Sequence, residues 1–304
     1  MFGFGKRKTI VLPDSYKDLI DAKNYTVFLE KCLMTLKNLD YEVLSSKDGD
    51  ITYTNSEGNE AHFFLDNLLR KYLQSDDKDK EILEHFSKLK DQTVAYNYLY
   101  KDFEYARQFL KILIKADDII PNIEAFVHLK KLPGLAVILI LDFEEQFHFV
   151  QTVKASEWNI SEEELFKIAL ENIKEETIEV KEYQYEDKFT VYILFSGDFS
   201  ASSTLIIPEK FDYAIGEYGC LIALPTKGTV LLHPISTTDV LDLVITLYPT
   251  VENFFNEDPS NVTLDFYWFF NDFYYVFKKE VNEDGTITIG LPKELKELFD
   301  KVSE

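Results

Sequence analysis

The residues best suited to chemistry crowd into one stretch, residues 196–235, SGDFSASSTLIIPEKFDYAIGEYGCLIALPTKGTVLLHPI. Asp198, Ser200, Ser202 and Ser203 form the most polar small-residue cluster of the chain, and His233 follows after two apolar runs. A run such as Ser200-Ala201-Ser202-Ser203-Thr204 at a helix start can present backbone N–H groups to an anion. The same residues equally suit a loop that caps the element it enters. A carboxylate, a serine and a histidine are also the groups of a hydrolytic site, should the fold bring Asp198, Ser202 and His233 into one pocket. The run is not a GxSxG elbow, so the spacing alone does not choose among these readings.

Other groups point to structure more than to chemistry. The histidines His62, His85, His128, His148 and His233 form neither HExxH nor HxH. Asp117-Asp118, Glu144-Glu145, residues 162–164 and Glu175-Glu176 pair carboxylates, but they sit at expected edges and read as solvated faces or helix starts. An acid–base pair needs at least one carboxyl that is partly desolvated. Gly3-Phe4-Gly5 has no strand before it and is not a dinucleotide fingerprint. Cys32 and Cys220 lie among apolar neighbours with no CxxC, so both are expected to be buried free thiols. No catalytic residue, metal ligand set or cofactor motif emerges.

The bulk properties narrow the classes. The chain has 304 residues, 46% apolar and 28% charged, with a net charge of −22. That excess of acid repels nucleic acid and anionic lipid, so neither is an expected partner. The aromatic run at residues 266–277 has no interleaved basic residues, which argues against stacking on single strands. It suits a core or a partner protein's surface. The apolar run centred on residues 137–141 is too short to span a bilayer. Phe2, Phe4 and Lys6-Arg7-Lys8 make a tip that supports weak membrane contact at best, and no apolar run follows them as a signal sequence would need. A cytoplasmic protein is expected, without stable membrane insertion and with another protein as its partner.

The elements that position these groups follow from periodicity. Residues 24–38 carry apolar residues at 3,4 spacing and predict a helix. Tyr41 to Leu44 and Ile51 to Thr54 predict strands about an Asp48-Gly49 turn. A turn at residues 55–59 leads into an expected helix, residues 61–73. Residues 81–115 read as helical, with an interruption at Asp91-Gln92-Thr93. Residues 125–129 and 135–143 predict strands, the second apolar enough to be buried on both faces. Ser161 heads a capping box for a helix to Lys174. Strands are expected at residues 178–183 and 189–195, and on both sides of Thr226-Lys227-Gly228. A helix over residues 240–247 should stop at Pro249. Asn271-Asp272 should turn an aromatic hairpin, and residues 292–302 should close as a helix.

Two segments echo each other. Phe28, Leu29, Cys32, Leu33, Leu36 and Val43 correspond to Leu165, Phe166, Ala169, Leu170, Ile173 and Val180. The echo and chance agreement of two amphipathic helices weigh about equally. The segments NISEEELFKIALENIKE, SASSTLIIPEKF and CLIALPTKGTVLLHPI, with FLDNLLRKYL and the strands of residues 135–150, resemble the YtpQ-like bacterial family of unknown function. That resemblance implies no established activity and no catalytic residue. At Thr226-Lys227 the family more often has an Asn-Arg pair.

The reading is an α+β protein of two mixed units, with a helix-rich first unit over residues 1–116, an antiparallel-rich second over 117–304, and a duplicated α-β-β-α element if the echo is real. Its expected role is that of a non-enzymatic binding or scaffold protein. The alternative is a small-molecule-binding or hydrolytic enzyme with a site near Asp198, Ser202 and His233, the ligand-binding candidates being Asp198, Ser200, Ser202, Ser203 and His233.

Overall fold

A computed structural model describes residues 10–54, 60–87, 101–120, 122–143, 146–185, 188–281 and 287–302. The basic aromatic tip, the turn at residues 55–59 and the interruption near Asp91 lie outside them. The chain forms two compact units, one of residues 1–97 with 256–259, the other of residues 98–255 with 260–304. The fold is α+β, and its strand pairings are antiparallel.

In the first unit, helix α1 (Ala22–Asn38) starts at Asp21, whose carboxylate accepts the backbone N–H groups of Lys23 and Asn24. Strands β1 (Glu42–Lys47), β2 (Asp50–Thr54) and β3 (Glu60–Phe64) form a sheet in that order. Asp48 and Gly49 both take positive φ, 50° and 78°, the geometry that a tight two-residue hairpin turn demands. Helix α2 (Asp66–Gln74) and a further helix over residues 78–87, α3, follow. Phe28, Leu29, Cys32 and Leu36 of α1 pack with Ile51, Tyr53 and Phe63 of the sheet. The sequence predicts a helix from residue 61, yet residues 61–64 belong to strand β3. Pairing with β2 and the stacking of Phe63 on Tyr53, 4.0 Å between ring centres, override the local helical pattern.

The second unit opens with α4 (Phe103–Ala106) and β4 (Leu110–Ala116). The sequence reads residues through 115 as helical, and this is corrected: Leu110–Ala116 is a strand paired residue by residue with β6 (Leu135–Phe143). That pairing places residues 98–116 in the second unit, whereas the sequence boundary falls after 116. Strand β6 is the middle of its sheet, with β5 (His128–Leu132) beside it and β7 (Gln146–Phe149) also paired to it. Residues 135–141 are buried throughout, which fits a strand covered on both faces.

Helix α5 (Thr152–Ala155) precedes α6 (Glu162–Lys174). Ser161 Oγ accepts the Glu164 N–H at 3.2 Å, the expected cap. Helix α6 packs on β4, and its Asn172 amide donates to the Arg107 and Leu110 carbonyls at 2.8 and 2.7 Å. Then come β8 (Glu179–Tyr185), β9 (Phe189–Phe195), α7 (Ser200–Ser203), α8 (Ile207–Lys210), β10 (Cys220–Ala223), β11 (Thr229–Pro234), α9 (Val240–Glu257), β12 (Phe266–Phe270), β13 (Phe273–Val276), β14 (Lys278–Val281), β15 (Ile287–Gly290) and α10 (Lys293–Val302). The six-stranded sheet runs β13-β12-β10-β11-β9-β8, and β14 pairs with β15. Its core face meets α9 and α10 through Val240, Leu243, Val244, Leu247, Leu295 and Phe299. Asn271 and Asp272, at φ 49° and 66°, turn the aromatic hairpin as expected.

Pro249 does not end α9, as the sequence suggests it should, but lies inside it. The residue is exposed, and on a helix's outer side a carbonyl that loses its bond can turn to solvent, so the proline is tolerated there. The echoing segments share element order, α1-β1-β2 against α6-β8-β9. Their packing differs: α1 lies on its own sheet, and α6 lies on β4 of the other sheet.

Candidate functional site

The polar run after β9 is turned inward. Ser200, Ser202 and Ser203 are fully buried. Ser202 Oγ donates to the Ile112 carbonyl at 2.6 Å, tying α7 to β4. Ser203 Oγ donates to the Ser200 carbonyl at 2.6 Å, and Ser200 Oγ to Ser196 Oγ at 3.1 Å. Ser196 Oγ also accepts the Phe199 N–H at 2.9 Å. These are the bonds of a capped, buried loop, the second of the two sequence readings of this run.

His233 sits elsewhere. Its Nδ1 donates to the Thr190 carbonyl at 2.7 Å, and its ring meets Phe189 edge to face. Thr190 and Ser196 lie at opposite ends of β9, about 20 Å of strand apart at roughly 3.3 Å per residue. Asp198, Ser202 and His233 therefore do not converge. Burial holds the His233 imidazole below its ordinary range, against the opposing pull of the Thr190 carbonyl and Asp239. It is neutral near pH 7.

Asp198 has a different partner. Its carboxylate lies 2.5 Å from Lys227 Nζ, and the Lys227 side chain is only 3% exposed. The Lys227 backbone is held as well, its N–H on the Ser260 carbonyl and its carbonyl accepting the Ala201 N–H. Beside this pair, Lys111 of β4 bridges Asp142 of β6, at 2.7 Å, and Glu176 after α6. The Lys111 ammonium lies 4.4 Å from the centre of the Phe199 ring, and the Lys227 ammonium 5.9 Å from that of Phe147. Burial raises the Asp142 carboxyl above its ordinary value; Lys111 opposes this, while Asp198 and Glu176 add to it. The result is a string of alternating charges backed by aromatic rings. Lys111 and Lys227 are its cations, and each is already engaged by a carboxylate.

Of this string, sequence reasoning picks out only Asp198 as a site candidate. Lys111 hides in the apolar KILIK run, and Lys227 in what reads as an ordinary turn. The Glu175-Glu176 pair reads as a solvated face or a helix start, yet Glu176 is ion-paired with Lys111. The available signal was a lysine on the inward-facing side of a buried strand.

Two further histidines are held within the fold. His148 is buried beside Phe143, and burial lowers its imidazole to about 4. His62 Nδ1 donates to Asp50 at 2.7 Å across β2 and β3. Among the described residues, no group of three or more His, Cys, Asp and Glu is arranged to hold a metal ion, and no helix is long and apolar enough to cross a membrane. An open groove of about 560 Å3 runs between residues 104–108 and α6. Its basic groups are matched locally, Arg107 by Glu104 at 3.2 Å and Lys167 by Glu164 at 3.7 Å.

The remaining feature is a sheet edge. Strand β8 ends the six-stranded order and pairs with β9 over seven consecutive residues without a bulge. Residues 179–184 are exposed on both faces. Among the described residues, no strand pairs with its outer side. No family model, curated protein or solved structure matches this chain.

Proposed function

We propose that this chain is a non-enzymatic binding or scaffold protein that works in the cytoplasm and engages another protein. The observation that carries the reading is β8, a bulge-free seven-residue edge strand with residues 179–184 exposed. Such an edge offers a row of backbone donors and acceptors, and proteins usually cover, bend or shorten it. The inward bonding of Ser202 and His233 leaves the hydrolytic alternative without an assembled nucleophile and base. The likeness to the YtpQ-like family belongs to the same proposal, and it rests on the segment from α6 to β11, with FLDNLLRKYL and the strands of residues 135–150.

The test is recovery of the tagged protein from its native host after crosslinking in the cell. A specific, saturable protein partner is expected. Repeated recovery of the chain alone, with crosslinking shown to work on a known pair, overturns the reading.

A further inference from the structure

The two faces of β8 differ in chemistry. One carries Val180, Glu182 and Gln184; the other carries Glu179, Lys181, Tyr183 and Tyr185. Across the ladder, Glu182 stands directly opposite Tyr192 of β9. Tyr192 meets Tyr213 edge to face at 4.7 Å, and Tyr213 is 44% exposed. Burial raises the Tyr192 and Tyr213 phenols most; Glu182 adds to the first, and Tyr192 and then Asp212 add to the second. Two carboxylates and two phenol rings thus share one face of the edge. A cation set there gains Coulomb attraction and a ring face together.

The opposite face asks for something else. Lys181 already pairs with Glu179 at 3.2 Å and lies over the Phe195 ring. Tyr183 and Tyr185 follow it as apolar neighbours for β-branched side chains. Directly opposed residues of paired strands share a face, so one incoming strand can satisfy both sides by alternation. A second copy of this chain fits poorly. Pairing β8 with itself about Glu182 opposes like charges, and each copy carries −22.

From this geometry we infer that β8 accepts an extended, basic segment of a partner protein by strand addition, with alternating Lys or Arg set against Glu182, Tyr192 and Tyr213. The inference rests on the binding reading above and names the surface and the chemistry of its partner. Main-chain hydrogen bonds provide the docking, and the alternating cations provide the selectivity.

The experiment uses the full chain and two seven-residue peptides capped at both ends, one alternating valine with lysine and one alternating valine with glutamate. Amide hydrogen exchange is followed residue by residue. The lysine peptide is expected to slow exchange at residues 179–185 by about tenfold or more, and the glutamate peptide to leave it unchanged. Glu182→Lys, an exposed substitution, should abolish the effect, and added salt should weaken it. The inference is overturned if the lysine peptide protects nothing at β8 up to about 1 mM, or if Glu182→Lys binds it equally well. It is overturned too if the same amides become protected on concentrating the protein alone, which would make a second copy the occupant. A cellular partner crosslinked to the aromatic hairpin, with β8 unprotected, would sink this inference and leave the binding reading standing.

Discussion

Ser202, on α7, donates its hydroxyl hydrogen to the backbone carbonyl of Ile112, on β4, at 2.6 Å. The serine is fully buried, so the bond joins two segments distant in sequence inside the core of the second unit. A hydroxyl committed in this way is a fastener, and its loss should register in stability. Ser202→Ala strands the carbonyl and should lower unfolding free energy by about 1–2 kcal/mol. Urea unfolding measures this. An unchanged midpoint would mean that the bond contributes nothing.

The Asp198–Lys227 pair gives a second test. Removing the carboxylate takes a counter-charge at 2.5 Å away from Lys227, whose side chain is only 3% exposed. Asp198→Ala should cost about 2–3 kcal/mol, below the full buried-pair value because Asp198 is part-exposed. The double variant Asp198→Ala/Lys227→Met should recover much of that loss. Strictly additive costs in the double-mutant cycle would show that the two side chains are not coupled.

Acid should destabilise the protein through His148. Burial lowers its imidazole from 6.5 to about 4, so the native state holds it neutral while the unfolded chain takes up a proton first. The stabilising contribution is complete above about pH 6.5 and drains away as pH falls toward 4, at roughly 1.4 kcal/mol per pH unit. His148→Leu should flatten the stability profile across that window. Parallel profiles for the two proteins would remove His148 as the cause.

Two glycines with similar φ should respond differently to alanine. Gly219 has φ +92°, and a Cβ there would lie 2.2 Å from the Phe269 carbonyl oxygen and 2.9 Å from Trp268 Nε1. Gly134 has φ +74° and open space around it. Gly134→Ala should cost about 1–2 kcal/mol from the backbone conformation alone. Gly219→Ala adds a clash with the backbone and should cost well beyond that. Equal thermal shifts would contradict the difference.

Both thiols should stay silent to labelling in the folded state. Cys32 and Cys220 are fully buried, and burial pushes both thiols far above their ordinary range. A disulfide-exchange reagent at pH 8 should modify them only at the rate of unfolding. Fast labelling of either in native buffer would show an opening that this fold does not contain.

Local signals carried much of the fold. Asp48-Gly49 and Asn271-Asp272 turn where their tolerance of positive φ allows, Ser161 caps α6, and the unbroken apolar run of β6 is buried. The failures share one cause. Residues 110–115 and 61–64 have patterns that suit a helix, and only their partners, β6 and β2, make them strands. Pro249 misled because a solvent-facing turn of a long helix tolerates a missing bond. In the site, Asp198 was legible as an isolated acid. Its partner Lys227 and the neighbouring Lys111 come from segments that only the folded chain brings beside it.

The core face of the six-stranded sheet has a consequence for how the protein is made. Phe189 and Val191 share one cluster with Leu295 and Phe299. During synthesis α9 can cover part of the core face near residue 190, but that face cannot be completed until more than a hundred further residues have been added. Over that interval the nascent chain is exposed to chaperones and to its neighbours on the same message. Slowing translation between these two segments should lower the soluble yield, although the finished fold is the same.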